Sequence, residues 1–133
     1  MTEAVQPPDA EAVVIAYLKT QFTSRGETAT VAGKVPQVRP DRMVRVSLVN
    51  TRQQTPGHFY ASVLVECWDV TNPAASALAR KAYAILCAIE GDDTVSDWVP
   101  DVVTVGGPAN FPDPDVGPRY QFTLDLLMSG DVI

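Results

Sequence analysis

Val102-Val-Thr-Val105, then Gly106-Gly-Pro-Ala-Asn-Phe-Pro-Asp-Pro-Asp-Val-Gly-Pro118, then Arg119-Tyr-Gln-Phe-Thr-Leu-Asp-Leu-Leu-Met128: this stretch reads as strand, long stiff loop, strand. The second strand has the strictest alternation in the chain. Tyr120, Phe122, Leu124, Leu126 and Met128 fall on one side, Gln121, Thr123 and Asp125 on the other. An antiparallel sheet with one face on a core produces this period of two. Four prolines and three glycines between Gly106 and Pro118 exclude a helix there. Each proline fixes its own φ and restricts the residue before it, so the loop is rigid. A stiff, acidic, exposed loop on a hairpin suits docking better than catalysis.

Working outward, the strand before this hairpin is preceded by an amphipathic helix. Asn72-Pro73 places a capping side chain ahead of a proline at the first helical position. Leu78, Ala82, Ile85 and Ile89 follow at helical spacing, and Gly91 is a C-terminal stop. Further back, Phe59, Ala61, Val63, Val65 and Cys67 alternate as a strand, and Val44, Val46 and Leu48 do the same with Arg45 and Ser47 outward. Asn50 to Gly57 reads as a polar loop, so these two strands predict a hairpin with a long projecting tip. Thr28 to Val35 is a weaker strand. At the start, Asp9 caps a helix carrying Val14, Leu18 and Phe22 on one stripe, ended by Ser24-Arg25-Gly26. The order is helix, three strands, helix, two strands. It predicts an α+β fold: an antiparallel or mixed sheet of about five strands with two helices packed on one face.

A chain of 133 residues fits one domain, 1–133. No apolar run approaches the ~20 residues of a membrane span, and the first residues have no signal-peptide pattern. Cys67 and Cys87 read first as two buried thiols in a reducing compartment, second as a disulfide, and last as metal ligands. The net charge of −6 argues against a nucleic-acid binder. Its distribution is uneven. Residues 25–52 hold six basic residues against two acidic; residues 90–133 hold nine acidic against one basic. Either the two sets neutralise each other within one molecule, or the basic side of one protomer meets the acidic side of the next.

A search for catalytic groups finds little. His58, the only histidine, reads as a surface residue at a strand start. No serine or cysteine has a nucleophile elbow or a partnered base nearby in sequence. Gly106-Gly107 lacks the phosphate-loop continuation. Asp113-Pro114-Asp115 lacks the calcium-loop spacing. Asp92, Asp93 and Asp97 read as a solvated loop. We expect no enzyme, no cofactor and no metal. Phe111 is either a lid on the core edge or an anchor for a partner. Trp68 and Trp98 read as core-edge residues.

The pieces together resemble a family. Pro8 to Leu18 looks like the opening helix of the tail terminator proteins of long-tailed (siphovirus-type) actinobacteriophages. Lys34-Val35-Pro36 and Arg39-Pro40 leading into Val44-Arg45-Val46 are similar to it too. So are Val65-Glu66-Cys67-Trp68, the alanine-rich helix after it, and Gly106 to Phe122. The resemblance covers most of the chain and rests on order and spacing. It implies a small α+β protomer that forms a hexameric ring of about 86 kDa, from six copies of 14.3 kDa. Such a ring caps the tail tube in the virion, stops polymerisation of the major tail protein and offers a face to the head-completion or connector protein. It is assembled in host cytoplasm, and DNA passes through its lumen without specific binding. An acidic lumen repels phosphate, so Asp92, Asp93 and Asp97 are expected to face the channel. Arg39, Arg42, Arg45, Arg52, Gln53, Gln54, Phe111, Asp113 and Asp115 are expected at interfaces. The neighbouring alternative is a head–tail connector or head-closure ring one layer higher. The alternative of another class is a small cytosolic enzyme or ligand-binding domain.

Overall fold

The structure is a computed structural model describing residues 3–95 and 98–133. In chain order it has β1 (Val5–Gln6), α1 (Ala10–Ser24), β2 (Thr30–Ala32), β3 (Met43–Thr55), β4 (His58–Trp68), α2 (Asn72–Cys87), β5 (Asp101–Asn110), β6 (Arg119–Ser129) and β7 (Asp131–Val132). Five strands form one mixed sheet in the order β2-β3-β4-β6-β5, and β1 pairs with β7 in a separate ribbon. Only β2 and β3 run parallel; the other junctions of the main sheet are antiparallel. The two-helix, mixed-sheet α+β fold is as expected, with the terminal ribbon added. Among the described residues no helix is long and apolar enough to cross a membrane.

Both helices lie on one face because their apolar stripes meet one set of alternating strand positions. Ala10, Val14, Leu18 and Phe22 of α1, and Leu78, Ala79, Ala82 and Leu86 of α2, join a single buried cluster. The strands contribute Val44 and Val46, then Ala61, Val63, Val65 and Cys67, then Phe122, Leu124, Leu126 and Met128. The alternation of β6 is therefore fully used: every second residue from Phe122 to Met128 is buried. Tyr83 of α2 stacks edge-on against Phe122, ring centroids 5.4 Å apart. The alanines of α2 bring its backbone close to the sheet. Asp9 caps α1 by accepting the Ala12 N–H at 3.1 Å, an interaction of ~1 kcal/mol. Neither cysteine is bonded; Cys67 is buried, and burial pushes its thiol well above the usual range.

Five boundaries differ from the sequence reading. The first strand shrinks to Thr30–Ala32, because only these residues reach Met43–Arg45. The supposed loop from Asn50 to Gly57 is mostly strand: β3 runs on to Thr55, held by the ladder to His58–Ser62. Its tip does not project freely, since β6 pairs with β4 as far as His58. The Gly106-Gly107-Pro108 segment is also strand; β5 continues to Asn110 through two register shifts. Thr71, not Asn72, caps α2, accepting the Ala74 N–H at 3.2 Å. The helix ends at Cys87, so Gly91 (φ 69°) closes a later turn.

The terminal ribbon is seated on the hairpin end by Gly130. Its N–H donates to the Gly57 carbonyl at 2.9 Å, and Ile133 N–H donates to Ala4 O at 2.9 Å. A Cβ at Gly130 would lie 2.6 Å from Gln6 O, 2.6 Å from Phe59 Cε1 and 2.7 Å from Val5 Cγ1. Two of these belong to the ribbon itself, so Gly130→Ala is expected to unseat it at a cost of about 1–3 kcal/mol. Hydrogen exchange checks this: the Ile133 and Gly130 amides should lose protection while β6 core amides keep theirs. Unchanged protection at Ile133 would show the close approach is tolerated.

Candidate functional site

The face of the sheet away from the helices has no second layer among the described residues. Its side chains follow from the same alternation. Trp68, Glu66, Leu64, Ser62 and Tyr60 of β4 share it with Arg119, Gln121, Thr123, Asp125 and Leu127 of β6, and with Arg45 of β3. A bare face of this kind normally carries scattered polar residues; here it carries an organised array of ion pairs.

Glu66 sits between two arginines. Arg119 Nη1 lies 3.1 Å from its Oε2, and Arg45 Nη1 lies 3.9 Å from its Oε1. Further along, Ser62 donates to Asp125, whose other oxygen faces Arg52 Nη1 at 3.8 Å. Arg52 also lies over the Tyr60 ring at 4.9 Å, and Tyr60 donates to Asp101 at 2.8 Å. That hydrogen bond, with burial, raises the Tyr60 phenol. Glu66 and Asp125 are each only 8% exposed on a face with no covering layer. The arginines and neighbouring side chains are what shield them, so the charges are locked in place.

At one end of the array Trp68 is covered by Arg39, 4.6 Å above its ring, and by Arg119 at 5.7 Å. Its Nε1 donates to Asp113 at 3.1 Å. The Asp113 carboxylate is held below its ordinary range first by the Asp115 N–H, then by Trp68 and the Arg119 charge. Arg119 Nε donates to the Phe111 carbonyl at 2.9 Å, and its guanidinium lies 5.3 Å from the Phe111 ring. The 111–118 loop is therefore pinned to the sheet. A groove of about 260 Å³ runs beside it, lined by Arg39, Pro40, Trp68, Val70, Val116 and Pro118.

The structure brings together Arg39, Arg45, Arg52, Phe111 and Asp113 on or beside this face, with Asp115 in the pinned loop. Phe111 is 56% exposed: part of its ring meets Arg119 and part meets solvent. Gln53 and Gln54 are exposed on the distal half of β3. Arg42 lies elsewhere. It donates to Glu27 at 2.7 and 3.1 Å and to Asp69 at 2.9 Å, inside its own subunit. The Arg42, Arg45 and Arg52 charges are thus all matched within the chain, but only Arg52 meets an acid of the 90–133 set, Asp125; the partners of Arg42 and Arg45 are Glu27, Asp69 and Glu66. Asp92 turns towards the helices. It accepts from Tyr17 at 3.2 Å and from Thr94 Oγ1 and N–H, and the Thr94 bonds hold it below its ordinary range. Asp93 is exposed, and Asp97 lies outside the described residues. Trp98 is 60% exposed, not a core-edge residue.

Sequence reasoning missed Tyr60, Ser62, Glu66 and Asp125 as members of the array. The signal was present: Asp125 falls on the polar side of the β6 alternation, and Arg45 on the outward side of β3. Chemically, the array presents fixed charge and hydrogen-bonding groups over a flat surface. Ser62 has a carboxylate, but His58, the one histidine in the sequence, lies four residues from Ser62 along β4 and bonds instead to Thr55 Oγ1 at 2.8 Å. No protein-family model matches the chain, and no curated protein matches it.

Proposed function

We propose that this chain is a structural subunit of a phage virion: a tail terminator that forms a hexameric ring on the head-proximal end of the tail tube. The observation that carries the reading is the bare sheet face, where Arg45, Arg52 and Arg119 and their acids form a prearranged array edged by Tyr60 and the exposed Phe111. Groups fixed before binding lose little entropy on contact, and a mixed-charge surface with aromatic anchors recognises a protein rather than a small metabolite. The resemblance in order and spacing from Pro8 to Phe122 supplies the specific class. In this reading the face and the 111–118 loop meet the major tail protein or the head-completion protein, and the exposed Asp93 turn faces the DNA channel.

Deletion of the chain in its phage tests the proposal. Overlong tail tubes without attached heads are the expected result, because nothing stops the major tail protein. Tails of normal length that lack heads would instead make it a connector or head-closure ring. Normal virions would end the structural reading altogether.

A further inference from the structure

We infer that neighbouring copies of this chain join edge to edge, with β5 of one copy adding as an antiparallel strand to the distal half of β3 of the next. This rests on the ring reading above and names the contact that closes it.

Both ends of the main sheet are open. On one side, β2 covers β3 only at Met43–Arg45. From Leu48 to Thr55 the strand is exposed, and among the described residues only β4 pairs with it. On the other side, among the described residues β5 pairs only with β6. From Val102 to Asn110 it carries no charged residue, and Val103 and Val105 are 43% and 60% exposed. Val102–Val105 is an uncharged, β-branched edge of the kind monomeric proteins avoid, because it invites another strand; the shifted Gly106-Gly107-Pro108 stretch beyond it stays outside the pairing. Two glutamates cover one amide on each edge: Glu90 accepts from Val102 N–H at 3.2 Å, and Glu11 accepts from Leu48 N–H at 3.0 Å. Among the described residues no other side chain accepts from an amide of these two edge segments.

Strand directions make the second copy fit. Along β3-β4-β6-β5 each neighbour is antiparallel, so β5 runs opposite to β3. A second copy in the same orientation, set beside the first, therefore puts its β3 antiparallel to the first copy's β5. That is the more stable pairing. The register then matches chemically. One row across the sheet is Arg52, Tyr60, Leu127, Asp101; the next but one is Asn50, Ser62, Asp125, Val103. If the rows continue in line, Asp101 of one copy faces Arg52 of the next, and Val103 faces Asn50. Opposite charges in directly opposed positions favour the pairing. The contact is heterologous, each copy giving one edge and accepting at the other, so repetition about an axis closes a ring.

The test uses the full chain with Asn50→Cys and Val103→Cys in a Cys87→Ser background. Within one copy these two positions are three strand spacings apart, roughly 14 Å, too far for a disulfide. Between copies they lie opposite each other. Oxidation of the concentrated protein, and of tails assembled with it, should give a covalent ladder ending at six copies, absent from either single-cysteine variant. Val103→Lys alone should stay folded by circular dichroism and weaken self-association at least tenfold. Rings that form without a ladder would overturn the edge pairing and leave the ring reading standing. A ladder stopping at two copies would keep the edge contact and overturn the ring. No association in either setting would remove both.

Discussion

Glu27→Gln is expected to destabilise the subunit by about 2–3 kcal/mol at neutral pH, and that deficit should shrink as the solution is acidified. Glu27 lies just past the end of α1, and its side chain is only 4% exposed. Three elements reach it. Arg42 from the start of β3 donates through Nη1 at 2.7 Å and Nη2 at 3.1 Å; Lys81 of α2 donates at 2.9 Å; the Ala29 N–H donates at 2.9 Å. Burial pushes the carboxyl up, but the Arg42, Lys81 and Ala29 bonds outweigh it and hold it at about 2, against an ordinary value of 4.5. At about 1.4 kcal/mol per pH unit this is worth about 3 kcal/mol of folding free energy. Half-exposed Arg42 and Lys81 feel solvent screening, hence the lower end of the range.

The folded carboxyl titrates below the unfolded one, so its stabilisation is complete above pH 4.5 and disappears as pH falls through about 2. By pH 3 roughly 2 kcal/mol of it should already be gone. Urea denaturation of wild type and Glu27→Gln at pH 7 and pH 3 reads the gap directly. Other carboxylates titrate in both proteins and cancel in the difference. A gap of the same size at both pH values would show that Glu27 is not held ionised by these partners.

The parts of this fold that the sequence disclosed are those where one side of an element is wet and the other dry. From Tyr120 to Met128, and from Phe59 to Cys67, the helices cover one face, and hydrophobic contrast writes the strand into the residues. The distal half of β3 has no such contrast. Asn50 to Thr55 is exposed on both faces, and the strand exists because β4 supplies a ladder. The same holds for Gly106-Gly107-Pro108, whose residues favour a turn but whose partner β6 draws them into a bulged strand. The β1–β7 ribbon depends on a two-residue pairing between distant ends and on the space Gly130 leaves. No local pattern encodes that.

The site was half legible for a related reason. Alternation alone put Arg45 and Asp125 on outward faces, but which acid meets which base depends on strand order. Glu66 meets Arg119 across 53 residues because β4 and β6 are neighbours. Arg42 stands three residues before Arg45 and so points to the opposite side, where Glu27 and Asp69 wait. Charge counting treated the two arginines alike. The structure separates them: one links a helix to the sheet, the other belongs to the open face.

Arg119→Ala is expected to cost about 3–5 kcal/mol and to free the 111–118 loop. The side chain is 14% exposed and its Nη1 lies 3.1 Å from Glu66 and 3.8 Å from Asp113, both largely shielded. Truncation leaves Glu66 with Arg45 alone, at 3.9 Å. Most of the loss comes from that stranded carboxylate, because removing one partner of a buried pair costs far more than removing both. Adding Glu66→Gln should therefore recover at least 1 kcal/mol, a less-than-additive double mutant. Arg119→Lys should recover under half, since an ammonium cannot donate to Glu66 and also reach the Phe111 carbonyl while stacking on its ring. The loop reports separately. In a Trp98→Phe background the remaining tryptophan, Trp68, loses the Arg119 contact, and its indole bond to Asp113 weakens, so its emission should shift when Arg119 is removed. Additive losses in the double mutant, or an unchanged Trp68 spectrum, would mean that Arg119 packs against this face without organising it. The prearranged docking surface would then lose its keystone, and the 111–118 loop would have to order on the partner instead.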